Sequence, residues 1–439
     1  MISKSRIIQI GLAALAFILC IVTIYATGRN NADFADSIDY ITAARMLVEN
    51  GSYPAVGGLN FFRAPLFPLF MAGIWSVTGE SVFAVKIVQA VLHAVTTLMI
   101  FGTAKLLSGR TLVALLAGLL FAVNPFFIYQ AAAIQTEALH TFLLTLALLL
   151  VIKMVVSEDE FDLKTAAAAG VAFGLGALCK NSPLGICIVL AIGMTALGYR
   201  RKNSVAAAAV MVGVMFVTIL PWSFYNLKTR GEFILINDSS GFVAWIGNHP
   251  ANLRIYEGDF ASREEMQQYQ DYIGKTLAAE QIAGWETTKG YSRLSFKERE
   301  GLWQQQAIDN AKAEPAKTAR LLGWKLIAFW RPWLSSDIYS MKAALLSALM
   351  IVPLFVLGFA GMWISRKRAG TREVVILFTV LMLFVTAVHT ALVSTMRLRL
   401  SNVDALLTVF AAIAIVAVLS KLFSEERIDS LNRFLEGSH

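Results

Sequence analysis

Apolar stretches alternate with short polar, mostly basic interruptions along most of the chain. The first runs from about Ile7 to Ala26, after Lys4 and Arg6. Others lie near 82–104, 111–129, 132–152, 165–180, 183–199, 204–224, 341–364, 373–395 and 402–422. A bilayer takes roughly twenty apolar residues per helix, so the pattern predicts about ten transmembrane helices. The first run lacks an obvious small-residue cleavage site before Asp33 and reads as a retained span, not a removed signal peptide. An even number of spans puts both termini on one side.

Two segments interrupt this alternation and are too long to be plain connectors, so each should carry structure of its own. In the first, 27–81, Ile38, Ile41, Ala44, Leu47 and Val48 recur at helical spacing opposite Asp39, Arg45 and Glu49, which predicts an amphipathic helix on the membrane surface. Gly51, Pro54, Gly57 and Gly58 break the chain, and Pro65 and Pro68 open a second apolar helix too short to cross. The second segment, 225–340, shows polar helical patterns around 262–282 and 296–313. It then runs through Trp324, Phe329, Trp330 and Trp333, an aromatic approach to the membrane. The expected organisation is a transmembrane module over 1–224 that includes the loop 27–81, a small, mainly helical outer domain over 225–340, further spans over 341–424, and a tail over 425–439.

The chain is 57% apolar and 15% charged, where soluble proteins carry about a quarter charged residues. That excludes a soluble enzyme with a single anchor. The net charge of +8 would suit a nucleic-acid binder, yet outside the long segment 225–340 most Lys and Arg sit in one alternate set of turns between apolar runs, among them Lys105, Arg110, Lys153, Arg201, Lys202, Arg366 and Lys367. The opposite short connections carry only Arg29, Arg45, Arg63, Lys180, Arg397 and Arg399. Positive-inside asymmetry explains this better and places both termini in the cytoplasm. Merging 165–180 with 183–199 into one span would invert everything downstream. Cys20, Cys179 and Cys187 all lie in apolar runs, which marks them as small buried hydrophobes rather than a disulfide framework or a metal site.

A few ionisable groups remain that topology does not explain, and such groups in a membrane are costly and usually functional. Asp36 precedes the first amphipathic helix, so it reads as an N-cap paired with Asp39, as a general base held at a helix start, or as both. Asp33 and Asp39 read as solvated; the three-residue spacing of these acids leaves a divalent cation open. Glu137 opens an apolar run, with His140 one turn on. His140 and His93 read as packing or hydrogen-bonding histidines, there being no ligand cluster. Lys180 reads as an anion ligand or a snorkelling lysine. Arg397 and Arg399 offer two guanidinium forks suited to phosphate oxygens, and Arg63 is a similar candidate beside Phe61 and Phe62.

The order of these pieces resembles the GT-C superfamily of integral-membrane glycosyltransferases, and within it the bacterial relatives of dolichyl-phosphate-mannose protein mannosyltransferases and of lipid A aminoarabinose transferase. The resemblance rests on Asp36-Ser37-Ile38-Asp39-Tyr40, Ala43-Ala44-Arg45-Met46-Leu47 and Gly51-Ser52-Tyr53. It continues through Phe62-Arg63-Ala64-Pro65-Leu66, Thr136-Glu137-Ala138-Leu139, Pro221-Trp222-Ser223-Phe224-Tyr225-Asn226 and Arg397-Leu398-Arg399-Leu400. The chain departs from the usual pattern at Ser37, where many relatives carry a second acid, at Tyr225, often an arginine, and at Ser401-Asn402, usually opening with proline.

The resemblance implies an all-α polytopic enzyme of the bacterial cytoplasmic membrane, with its site on the periplasmic side. It would invert a sugar taken from polyprenyl phosphate and pass it to a lipid, glycan or protein. Asp36 would deprotonate the acceptor and Glu137 orient it or share a proton; Arg397, Arg399, Lys180 and Arg63 would bind the donor phosphate. Asp39, Tyr40, Asn226 and His140 would serve the acceptor or play accessory parts. No cofactor is implied, a divalent cation staying open, and no nucleotide site is needed, in keeping with the absence of a P-loop. The alternatives are a polyprenyl-lipid flippase or transporter, an oligosaccharide ligase of the same location, and a binding member without turnover.

Overall fold

The computed structural model describes residues 4–32, 34–53, 63–157, 160–198, 202–237, 239–258, 260, 262–335 and 339–436. Among them there is no strand. The helices are α1 (Lys4–Thr27), α2 (Ala35–Asn50), α3 (Leu66–Thr78), α4 (Val82–Ser108), α5 (Thr111–Ala122), α6 (Pro125–Ala132), α7 (Glu137–Val156), α8 (Leu163–Cys179), α9 (Ser182–Leu197) and α10 (Ser204–Arg230). After them come α11 (Ser240–Asn248), α12 (Asn252–Glu257), α13 (Arg263–Asp271), α14 (Ala278–Lys289), α15 (Phe296–Ala313) and α16 (Pro315–Trp330). The chain ends in α17 (Met341–Ser365), α18 (Thr371–Ala391), α19 (Met396–Arg399), α20 (Ala405–Phe423) and α21 (Glu425–Glu436).

Among the described residues seven helical stretches are long and apolar enough to cross a membrane: α1, α4, α7, α10, α17, α18 and the continuous Met396–Phe423. The pair α5 and α6 makes an eighth, bent by 54°. The bend has a chemical cause, since Pro125 cannot donate the next backbone hydrogen bond and the Asn124 Oδ1 caps Phe126 N–H at 3.0 Å. With the shorter apolar α8 and α9, these account for the ten runs read from sequence. Large apolar side chains such as Ile7, Ile10, Ile18 and Val22 on α1, and Leu345, Leu349 and Val356 on α17, stay exposed, as lipid-facing residues do.

Two details differ from the sequence reading. The last span begins earlier than 402: Arg397 and Arg399 lie within its helix, joined to α20 by a π-helical turn over Leu400–Asp404. Asp36 is also not the N-cap of α2. Phe34 holds that position, and Ser37 Oγ reaches back to accept the Phe34 N–H at 3.2 Å, leaving the Asp36 carboxylate in the first turn with its oxygens turned elsewhere.

The chain divides into two compact units. The first comprises residues 1–225, 352–383 and 400–439. In it α2 and α3 pack on α4, α7 and α8 through Tyr40, Ala44, Phe67, Met71, Trp75, Val85, Leu139, Leu143 and Cys179. All three cysteines are free and buried. Small residues bring helices close: a Cβ on Gly170 or Gly174 of α8 would lie 2.5 Å from Met211 O or 2.6 Å from Thr218 Cβ of α10, the glycine-every-fourth-residue pattern of membrane helix pairs.

The second unit comprises residues 226–351 and 384–399. Its core is aromatic, with Trp245, Trp285, Tyr291 and Trp303 buried together. Trp303 Nε1 donates to Tyr291 Oη at 3.1 Å, so the polar tip of the indole is satisfied inside the cluster.

Candidate functional site

Seven of the candidate site residues fall in the first unit, in two clusters, one at the start of α2 and one at the start of α7. Asp36 and Asp39 are one turn apart, so both carboxylates face the same way. Arg63, just before α3, answers both: its Nη2 lies 2.7 Å from Asp36 Oδ1 and 2.7 Å from Asp39 Oδ2, and its Nε donates to the same Asp39 oxygen at 3.1 Å. The three side chains remain about 34% accessible, so the cluster is paired yet reachable. The guanidinium also lies 5.6 Å from the Tyr40 ring centroid. Burial pushes the Tyr40 phenol above its ordinary pKa, which keeps this ring neutral beneath the cation.

Aromatic residues at the end of α10 brace this arrangement. Tyr53 Oη donates to the Arg63 carbonyl at 3.0 Å, and Tyr53 N–H donates to Tyr225 Oη at 2.9 Å. Trp222 stacks on Tyr225 and meets Tyr53 edge-on, with centroids 4.9 and 5.0 Å apart. Tyr225, a departure from the usual pattern, thus acts as a hydrogen-bond acceptor for the chain leading to Arg63.

A second cluster lies where α7 begins. The backbone breaks between α6 and α7, and polar side chains take up its carbonyls. Gln89 Nε2 donates to Ala131 O and Ala133 O, at 3.1 and 2.6 Å; Ser37 Oγ donates to Ile134 O at 2.8 Å. Glu137 is therefore presented at a helix N-terminus, where the macrodipole favours a carboxylate. It is 2% accessible and pairs with Lys180 Nζ at 3.0 Å. One turn further, His140 Nε2 sits 3.1 Å from Asn402 Oδ1, which also accepts Ser182 Oγ at 3.0 Å. The connection from α8 to α9 is thus pinned at Lys180 and at Ser182. Tyr40 is common to both clusters, feeling the charges of Arg63, Asp36 and Glu137.

The other candidates lie in the second unit. Asn226 is buried, its amide donating to Ile234 O and Ile236 O at 3.0 and 3.3 Å, so it shapes the chain after α10. Arg397 is half-buried. Arg399 is fully buried, and its Nη1 donates to Phe329 O at 2.7 Å and Arg331 O at 3.1 Å, the carbonyls ending α16. Lys325, within α16, caps another helix: its Nζ donates to Leu392 O at 2.6 Å, just past the end of α18, and to Asn248 Oδ1 at 2.8 Å. Two basic side chains thus cap C-terminal carbonyls, Arg399 those of α16 and Lys325 that of α18.

Lys86 is buried and donates to Gly28 O at 3.1 Å. His93 stacks on Phe121 at 5.0 Å. Asp33, Phe61 and Phe62 lie outside the described residues. Among the described residues no group of three or more His, Cys, Asp or Glu side chains is arranged to hold a metal ion. Reading the sequence missed the supporting parts played by Ser37, Tyr53, Gln89 and Ser182. Gln89 carried a signal, a lone amide inside an apolar run; the others looked like ordinary loop or cap residues.

A family model described as dolichyl-phosphate-mannose-protein mannosyltransferase matches residues 63–225, a stretch holding Arg63, Glu137, His140, Lys180 and Tyr225. No curated protein sequence matches the chain. Among solved structures, the archaeal oligosaccharyltransferase AglB from Archaeoglobus fulgidus, in complex with an inhibitory peptide and a dolichol-phosphate, aligns with a TM-score of 0.58 at 14% identity, over 96% of this chain and 52% of that one. ArnT from Cupriavidus metallidurans, bound to undecaprenyl phosphate, aligns with a TM-score of 0.45 at 14% identity, over 94% of this chain and 79% of that one. The chain has the GT-C fold. It spans about half the length of the GT-C oligosaccharyltransferase it matches, and at that identity the two share architecture.

Proposed function

We propose that the protein is an inverting glycosyltransferase that takes a sugar from a polyprenyl phosphate at the outer face of the cytoplasmic membrane. The observation that carries this reading is Asp36 and Arg63 in direct contact at the head of α2, beside the Glu137–Lys180 pair. A carboxylate base and a phosphate-binding cation are the two groups such a transfer needs. The family match over residues 63–225 and the GT-C fold support it.

In the proposed reaction an acceptor oxygen or nitrogen attacks the anomeric carbon as Asp36 takes its proton. The bond to the lipid phosphate oxygen breaks on the opposite face, and that electron pair leaves with the phosphate. Arg63 and Lys180 stabilise the charge accumulating there, which is where binding energy accelerates a reaction. Glu137 holds Lys180 in place and orients the acceptor. The exposed apolar helix faces offer a lipid tail the same medium as the bilayer.

The test incubates purified protein, and its Asp36→Asn variant, with radiolabelled undecaprenyl-phosphate monosaccharides and a membrane extract as acceptor source. Label transfer by the wild type and a loss of roughly 10²–10⁴-fold in Asp36→Asn, with donor binding retained, is the expected result. Donor bound but never turned over by the wild type would overturn the reading and favour a binding protein or flippase. Arg397→Gln and Arg399→Gln belong in the same assay: a raised donor KM in the first alone assigns phosphate contact to Arg397 and a supporting part to Arg399.

A further inference from the structure

The segment after the last span forms α21, a helix that begins one residue beyond α20 and is redirected by Ser424 in the left-handed region, at φ 67°. It is fastened across the ends of three other helices of its unit. Arg110 Nη2 lies 3.1 Å from Asp429 Oδ1 and 3.7 Å from Glu425 Oε1; Lys105 Nζ lies 2.5 Å from Glu436 Oε1. Asn432 Oδ1 accepts the Leu112 N–H at 3.1 Å, a first-turn amide of α5 that has no partner inside its own helix. Lys4, at the start of α1, stands 3.9 Å over the Phe434 ring.

This fastening sorts the charges of α21 onto different sides. Asp429 and Glu436, at helical spacing, face the bundle and pair with Arg110 and Lys105, while Glu425, on the same side, stays 77% exposed at 3.7 Å from Arg110. The side away from these pairs carries Arg427, Leu431 and Phe434, one face of the Phe434 ring being covered by Lys4, while Arg433 lies on the side of Glu426. Leu431 is 43% exposed and Phe434 60%, and they adjoin Leu422 and Phe423 at the end of α20, 71% and 52% exposed. Among the described residues Lys421, Arg427 and Arg433 enter no ion pair. A patch of large apolar side chains bordered by cations, fixed at the level where a span ends, matches an interfacial lipid-binding surface rather than a water-facing one.

We propose that the outward face of α21, with the end of α20, is a binding site for anionic phospholipid headgroups, with Leu431 and Phe434 in the acyl boundary and Lys421 and Arg427 on the phosphates. The occupant follows from charge: with Asp429 and Glu436 turned to the bundle and paired, Lys421 and Arg427 border the apolar side chains with no ion-pair partner among the described residues. Cations held at that depth discriminate by headgroup charge, and salt weakens them.

The full chain is reconstituted with brominated phosphatidylcholine, with or without a minority of brominated phosphatidylglycerol. An environment-sensitive dye is placed at Leu431→Cys or, on the water side, at Glu426→Cys; the three native cysteines are buried and leave the label to the introduced one. Quenching severalfold stronger at 431 than at 426 is expected, deepened by phosphatidylglycerol and reversed by salt. Lys421→Gln with Arg427→Gln removes the phosphatidylglycerol increment while leaving the thermal midpoint in detergent unchanged. Equal quenching at both positions overturns the proposal, as does an increment that survives the double substitution. Concentration-dependent energy transfer between labelled copies, with no lipid quenching, overturns it in favour of a second copy of the chain covering this face.

Discussion

Arg63 satisfies two carboxylates at once with a single guanidinium fork, and the side chain that replaces it decides what is lost. Lysine keeps the charge but not the planar pair of donors, so Arg63→Lys should lower kcat/KM by about 10–100-fold, as losing one arm of a bidentate contact does. Steady-state kinetics over a donor series measures it. Glu137 and Lys180 form the more enclosed pair. Truncating one partner leaves a shielded charge without its counterion, so Glu137→Gln should cost up to about 3 kcal/mol, and Glu137→Gln with Lys180→Met less than the two single changes together. Thermal unfolding of the four proteins in detergent closes that cycle. Ser37 shows how a residue can look like a defect in sequence and be a joint in structure: where a second acid is usual, its hydroxyl ties α2 to the break before α7.

At the scale of elements, helix ends and helix contacts govern what each substitution does. Lys325 caps the end of α18, and burial pushes its amine down to about 8 from the ordinary lysine value of 10.5. Below pH 8 the amine is charged in folded and unfolded chains alike, and the burial penalty is fully present. Between about 8 and 10.5 the unfolded chain holds more protons, so this group's contribution to stability rises with pH and then levels off. The wild type minus Lys325→Met difference in unfolding midpoint should therefore grow over that window. A flat difference refutes the assignment. Close helix contacts give a second prediction. A Cβ on Gly361 of α17 would lie 1.8 Å from Phe410 O of α20, and backbone cannot yield as a side chain does. Gly361→Ala should lower the unfolding midpoint clearly, whereas Gly213→Ala, in open space on α10, should be neutral or slightly stabilising.

For the whole molecule, sidedness decides where the reaction can take place. The basic turns at Lys105, Lys202 and Lys367 belong in the cytoplasm if positive charge resists translocation. Cysteines introduced at Asn203 and Ala369 should then be shielded from a membrane-impermeant thiol reagent in intact cells, and those introduced at Asn50 and Lys289 should react. The reverse labelling would place the Asp36 cluster in the cytoplasm. It would remove the proposed outer-face reaction while leaving the fold as it is.

What the sequence determined by itself is whatever depends on local chemistry. Apolar run length sets the spans, because an unpaired backbone group in lipid is too costly for anything but a helix or a closed barrel. The helical periodicity of Ile38, Ile41, Ala44 and Val48 predicts α2, and the Gln- and Glu-rich patterns predict α13 to α15. Costly charges in apolar surroundings pointed to Asp36, Arg63, Glu137 and Lys180 before any of them had a partner. Those partners were decided by tertiary structure, since a contact between Arg63 and Asp39, or Lys180 and Glu137, joins residues far apart in the chain and leaves no local trace. The same holds for Arg399, which reads like Arg397 in sequence but is enclosed against the carbonyls ending α16. It holds too for α21, whose acids and cations look evenly mixed along the chain and are separated only by the surface they pack against.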